Sequence, residues 1–172
     1  QTVTTQSQAV LNESRRASPI VEMAHLLVEC VRHNLRVIAF CKTKKLCELV
    51  LRYSRELLVN NKGEHLLESI AAYRGGYTSA DRRATENNLF SGNLKAVCAT
   101  NALELGVDVG VLDATLHLGF PGSCASLTQQ FGRAGRRGKR ALGIYVAFDG
   151  PLDQYFMHHP DRLWDGSITE RA

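Results

Sequence analysis

Two arginines three residues apart, each preceded by a glycine, fall within the run Gln129-Gln130-Phe131-Gly132-Arg133-Ala134-Gly135-Arg136-Arg137-Gly138. A guanidinium stays charged, and its planar fork matches the oxygens of a phosphate. On a helix, positions i and i+3 share a face, so the spacing predicts Arg133 and Arg136 aimed at one point. Gly132 and Gly135 would let another surface approach the backbone, although a glycine inside a helix costs about 1 kcal/mol relative to alanine. A basic patch for nuclear import or nucleic-acid binding needs only Arg136, Arg137, Lys139 and Arg140. It accounts for the charge but not for the two glycines or Gln129.

Three other segments carry residue types suited to phosphates or sugars. Phe40-Cys41-Lys42-Thr43-Lys44 offers a hydroxyl, lysines and helix N-terminal amides to a phosphate backbone, or simply an N-cap beside a solvated face. Tyr73-Arg74-Gly75-Gly76-Tyr77 combines a charge, a stacking surface and two glycines that admit a phosphodiester chain, though a sharp turn needs glycines too. The segment Ala99-Thr100-Asn101-Ala102-Leu103-Glu104-Leu105-Gly106-Val107-Asp108-Val109-Gly110 is more specific. Asp108 lies between valines, an odd place for an unpaired carboxylate. It would accept from a ribose hydroxyl or pair with an arginine, or else cap a helix.

The sequence contains no G-x-x-x-x-G-K-[ST] phosphate loop. Arginines shaped for a triphosphate without a phosphate cradle predict half of a site, completed by another domain. No serine or cysteine has the neighbours of an activated nucleophile. The six histidines (His25, His33, His65, His117, His158, His159) lack metal-ligand spacing, so no metal site is expected.

The elements that must position these groups alternate along the chain. Ser18-Pro19 opens a helix as N-cap and first residue, with Ile20, Ala24, Leu27, Val28 and Val31 on its buried face. Arg36 to Cys41 reads as a buried strand. Thr43 begins a second helix, which Asn60-Asn61-Lys62-Gly63 ends. Strands follow at 69–73, 94–100, 113–118 and 142–148, with a charged helix capped at Ser79-Ala80-Asp81-Arg82 and stopped at Ser91-Gly92-Asn93. Pro121-Gly122-Ser123 turns into the helix of the arginines, and 152–158 is a last short helix. This order predicts an α/β fold, a doubly wound parallel sheet with helices on both faces. Ligands of such sheets gather beyond the carboxyl ends of the strands, where each candidate segment falls.

Composition sets outer limits. A chain of 172 residues fits one domain, taken as 18–172, after a Gln/Thr/Ser-rich linker or flexible segment at 1–17. A net charge of +4 permits a polyanionic partner. No apolar run is long enough to cross a membrane as a helix, and 1–17 lacks the apolar core of a secretory signal. Five scattered cysteines (Cys30, Cys41, Cys47, Cys98, Cys124) read as small reduced hydrophobes of an intracellular protein.

The order of motifs resembles the second RecA-like lobe of superfamily 2 helicases over roughly residues 18 to 160. Gln129-x-x-Gly132-Arg133-Ala134-Gly135-Arg136 is similar to motif VI, whose two arginines act as arginine fingers. Thr100 through Asp108 resembles motif V, Phe40 to Lys44 motif IV, and Arg74-Gly75-Gly76 the nucleic-acid-contacting loop between them. The fuller motif V, Gly119-Phe120-Pro121-Gly122-Ser123, the glutamine at 129 and Pro151-Leu152-Asp153-Gln154-Tyr155-Phe156-Met157-x-x-Pro160 look most like Hrq-type helicases, relatives of the RecQ group. DEAD-box RNA helicases instead begin motif VI with histidine. Hrq-type relatives also carry a C-terminal region of clustered cysteines that is missing from these residues.

The resemblance implies a helicase C-terminal RecA-like domain, half of an ATP-dependent 3′-5′ DNA helicase of genome maintenance. ATP with Mg2+ would be held mainly by the first RecA-like lobe, leaving this chain inactive alone. It further implies catalytic roles for Arg133, Arg136 and Gln129, and nucleotide contacts from Gly106, Asp108, Arg133 and Arg136. Thr43, Lys44, Arg74, Gly75, Thr100 and Asn101 would hold one strand of single-stranded or forked DNA by its backbone. The location implied is the nucleus in a eukaryote and otherwise the cytoplasm. An RNA-directed lobe, or a non-catalytic nucleic-acid or partner-binding module derived from one, is the alternative.

Overall fold

Five short, largely apolar runs form one parallel sheet, buried at its centre and partly exposed at one edge. The computed structural model describes residues 18–104, 109–135 and 140–165. In chain order the elements are α1 (Pro19–Arg32), β1 (Val37–Cys41), α2 (Lys44–Asn60), a 3-10 helix (Glu64–Ser69), β2 (Ile70–Tyr73) and α3 (Ser79–Ser91). There follow β3 (Ala96–Ala99), a 3-10 turn (Asn101–Leu103), β4 (Ala114–Leu118), α4 (Cys124–Phe131), β5 (Leu142–Val146), α5 (Pro151–His158) and a 3-10 turn (Pro160–Leu163). The strand order is β2-β3-β1-β4-β5, all pairs parallel. The RecA-like doubly wound sheet expected from the sequence is therefore present.

Side chains alternate across the sheet with the period of two that a strand imposes. Val37, Ala39 and Cys41 of β1 face α1 and α2, joining Met23, Leu27, Cys47 and Val50 in the larger core. Ile38 and Phe40 face the other way, with Val97, Ala99 and Leu89 of α3. Burying each large aliphatic side chain contributes about 1.5–3 kcal/mol. Cys30, Cys41, Cys47 and Cys98 are buried and free, as small hydrophobes of the core. No helix among the described residues is long and apolar enough to cross a membrane.

Local chemistry sets the helix ends. The Thr43 hydroxyl accepts from Leu46 N at 3.2 Å, which starts α2. For α3 the cap is Thr78, one residue before the expected serine; its hydroxyl accepts from Asp81 N at 3.1 Å and donates to the Asp81 carboxylate at 2.7 Å. Only Leu89 of α3 is buried, so this cap and the left-handed Gly92 (φ 82) at the other end carry much of the helix. Ser18 stands at the N-cap of α1 without a side-chain cap bond, and Pro19 makes the start. Strand β5 crosses beneath α4 at Gly143, where an added Cβ would lie 2.2 Å from the Phe131 ring.

The helix of the arginines departs from expectation. α4 stops at Phe131, with Gly132 as C-cap. Arg133 N and Ala134 N then bond three residues back, to Gln130 O and Phe131 O at 3.2 Å each, and Gly135 takes φ 78. Arg133 thus follows the helix instead of lying within it; Arg136 lies outside the described residues. The helix ends short of what the i, i+3 pattern predicts, and Gly135 rather than Gly132 takes the left-handed conformation that favours glycine.

Candidate functional site

The strand order makes neighbours of three loops that are far apart in sequence. Arg74 follows β2, Thr100 follows β3 and Thr43 follows β1, at the carboxyl ends of three adjacent strands. Lys44, the first residue of α2, lies against the glycine turn: a Cβ on Gly75 would sit 3.4 Å from Lys44 Cε, and one on Gly76 3.8 Å from Arg74 Nη1. Arg74 Nε donates to Glu48 Oε1 at 2.5 Å, and its guanidinium carbon lies 5.0 Å from the centre of the Tyr77 ring. The Glu48 contact raises the Arg74 pKa further above its already high value. Thr100 N reaches Tyr73 O at 3.4 Å. Thr43, Lys44, Arg74, Gly75 and Thr100 therefore share one end of the sheet, where cations and glycines suit phosphate oxygens.

Asn101 turns toward β1 and β4. With Lys42, Phe40, Gly119, Ser126 and Gln130 it lines a cleft of about 260 Å³ beyond the strand ends. Two roomier clefts, about 630 Å³ outside α2 and about 600 Å³ between α1 and α5, are lined by none of the candidate residues.

Arg133 has quite different surroundings. It is 6 % exposed, and its Nε donates to the Glu104 backbone carbonyl at 2.9 Å, with Nη2 donating to the same oxygen. The Glu104 carboxylate in turn accepts from Ser126 Oγ at 2.7 Å and Gln130 Nε2 at 3.0 Å. Gln130 Oε1 lies 3.1 Å from His117 Nδ1, and His117 Nε2 lies 3.0 Å from Thr115 Oγ1. His117 is packed between the Phe40 and Phe131 rings, with centroids 5.6 and 4.0 Å away. Burial pushes its pKa down to about 4, partly offset by the bond to Gln130, so the ring is neutral near pH 7.

Gln129 is exposed, whereas Gln130 is buried. Gly106, Asp108 and Arg136 lie outside the described residues. Among the described residues no cluster of three His, Cys, Asp or Glu side chains is placed to hold a metal ion.

Sequence reasoning passed over Glu104, Thr115, His117, Ser126 and Gln130. One signal was available: Thr115 and His117, two apart in the otherwise apolar run Ala114-Thr115-Leu116-His117-Leu118, must share a face of a buried strand. Buried polar pairs of that kind need partners. A second buried junction was also missed. Asp153 of α5 accepts from Phe120 N at 2.7 Å and from the Tyr145 hydroxyl, tying the loop after β4 to β5 and α5.

The parallel sheet, with phosphate-suited loops at its carboxyl edge, has the architecture of a RecA-like lobe. Residues 20–138 match the helicase conserved C-terminal domain, and the chain belongs to that family. It is 47% identical over 152 residues to ATP-dependent helicase HRQ1 of Saccharomyces cerevisiae, covering 88% of this chain and 14% of that protein. With ATP-dependent helicase hrq1 of Schizosaccharomyces pombe the identity is 44% over 145 residues, 84% of this chain and 14% of the relative. The crystal structure of the DUF1998 helicase MrfA bound to DNA and AMPPNP superposes with a TM-score of 0.81 at 40% identity, over 87% of this chain and 21% of that one. The motif resemblance to superfamily 2 and its Hrq-type members thus holds. The chain spans only 14% of the length of either yeast relative.

Proposed function

We propose that this chain is the C-terminal motor lobe of an ATP-dependent 3′-5′ DNA helicase acting in DNA repair, nuclear in a eukaryote. The carrying observation is the division of labour across the fold. Exposed Lys44 and half-buried Arg74 stand with Gly75 and Thr100 at one sheet end, while Arg133 is buried and bonded to the Glu104 carbonyl. The binding of DNA and AMPPNP by MrfA supports assigning the first group to a DNA backbone and the second to a nucleotide.

In this reading Thr43, Lys44, Arg74, Gly75, Thr100 and Asn101 hold successive phosphates of single-stranded or forked DNA without reading bases. Arg133 and Arg136 face the γ-phosphate of ATP bound to the first RecA-like lobe. They neutralise charge as the phosphoryl group leaves, an effect worth about 10³–10⁵ in rate. Gly106 and Asp108 shape the ribose side, and Gln129, exposed at the surface of α4, meets the nucleotide across the cleft. Mg2+ would accompany ATP, held mainly by the first RecA-like lobe, and would shield its phosphate charge. Closure on ATP and opening after hydrolysis step this lobe along the strand.

The test is unwinding by the two-lobed protein of duplexes with a 3′ DNA tail, a 5′ DNA tail or a 3′ RNA tail. ATP-dependent unwinding of the 3′-tailed DNA alone, lost in Arg136→Ala, is expected. Unwinding of the RNA-tailed duplex only would establish the RNA-directed alternative. DNA binding by a protein that hydrolyses no ATP would establish the non-catalytic one.

A further inference from the structure

Glu104 works at both its ends. Its carbonyl receives the Arg133 guanidinium, and its carboxylate is pinned to α4 by Ser126 and Gln130. It also stands at the C-cap of a 3-10 turn only three residues long, Asn101–Leu103, with its own N–H bonded to Asn101 O at 3.0 Å. So short a turn fixes the direction of a carbonyl weakly. The side-chain tether supplies what the turn lacks.

The hydrogens of the tether have one consistent order. A carboxylate only accepts, so the Gln130 amide nitrogen must face Glu104 and its oxygen must face His117. His117 then carries its proton on Nδ1 and accepts at Nε2 from the Thr115 hydroxyl. Donation runs Thr115 to His117 to Gln130 to Glu104, with Ser126 donating in parallel. No described side chain buried from solvent lacks a hydrogen-bond partner. A fully satisfied network in a low-dielectric setting rigidifies what it touches.

We propose that Glu104 and Gln130 are positioning residues for Arg133, with Ser126 as auxiliary: the relay from β4 through α4 fixes the Glu104 carbonyl and thereby aims the guanidinium. The inference rests on the reading of Arg133 as a group that faces the transferring phosphate. Misplacing such a group by about 1 Å costs up to about 10²-fold in rate. The motif glutamine, Gln129, takes no part in the relay; its neighbour does.

The test uses the two-lobed protein at saturating single-stranded DNA. Gln130→Leu keeps the side chain's size and removes its bonds to both neighbours. It should lower kcat for ATP hydrolysis about 10- to 100-fold while KM for ATP and DNA affinity stay within about threefold. Half-buried Ser126 permits a milder change: Ser126→Ala should lower kcat severalfold and Ser126→Thr should restore it. In the double variant, Gln130→Leu should add nothing to the loss from Arg133→Ala; losses that multiply would overturn the proposal. Should Arg133→Ala leave kcat unchanged, the phosphate-facing reading fails and positioning is decided by NMR of the 172-residue chain. There the Arg133 Nε–H should exchange slowly, and faster in Ser126→Ala; exchange unaltered by that substitution would overturn the inference whatever the activity.

Discussion

At the ends of β1 and β2, Lys44 is exposed and Arg74 reaches across the surface to Glu48. At the end of α4, Arg133 is buried and bonded through two nitrogens to a single backbone carbonyl. An exposed ion pair contributes at most about 1 kcal/mol, so a phosphate can replace Glu48 at little cost. That suits contacts that must form and release as a strand advances. A guanidinium fixed by a carbonyl, itself anchored by a polar network, suits chemistry in which direction decides the rate. In the proposed function one residue type serves two tasks, which its surroundings divide.

The largest expected effect lies in the arginine corner. In the two-lobed protein, Arg136→Ala should lower DNA-stimulated ATP hydrolysis by at least about 10³-fold, with DNA affinity held within a fewfold. Arg133→Ala should act in the same direction. Steady-state ATPase assays at saturating DNA check both.

The second effect separates the two regions by acid. Burial lowers the His117 pKa from 6.5 to about 4, so the unfolded chain binds the extra proton first as pH falls. Its contribution to stability is complete above about pH 6.5 and is lost progressively toward pH 4, reaching on the order of 3 kcal/mol. Urea unfolding of the 172-residue chain between pH 7 and pH 4.5 should show this slope, reduced in His117→Phe. Equal slopes in the two proteins would mean that His117 is not the buried titrating group.

A smaller effect belongs to the strand-end face. Thr43→Ala removes the α2 cap and should cost about 1 kcal/mol in urea unfolding. The loss of one cap should leave the arginine corner intact, so ATPase at saturating DNA should stay near the unaltered rate.

Much of this arrangement was legible in the residues. Alternating apolar runs and amphipathic stretches gave the parallel sheet, and Thr43 announced α2 because an N-cap is a local signal. The convergence of Lys44, Arg74 and Thr100 followed once parallel strands were inferred, since strand ends of one sheet share an edge. The arginine corner was less legible. Periodicity continued α4 through Arg133, but tertiary contacts decide where it stops: Glu104 captures the side chain from 29 residues away. Gln129 was visible through its motif spacing, while Gln130 matters because Glu104 and His117, 26 and 13 residues away in sequence, meet it in the interior. Partners at such separations are set by packing, and no local pattern encodes them.

The division between the two regions is tested most directly by two quantities measured on Arg74→Ala and Arg136→Ala of the two-lobed protein. These are the Kd for single-stranded DNA across a salt series and the ATPase rate at saturating DNA. Arg74→Ala should weaken binding about equally for all sequences and reduce the salt slope by roughly 0.7, the share of one lost phosphate contact, with the saturated ATPase rate retained. Arg136→Ala should do the reverse, abolishing hydrolysis with the salt slope unchanged. If both substitutions move the same quantity, or if Arg74→Ala alters base preference at a constant salt slope, the two-region account is contradicted.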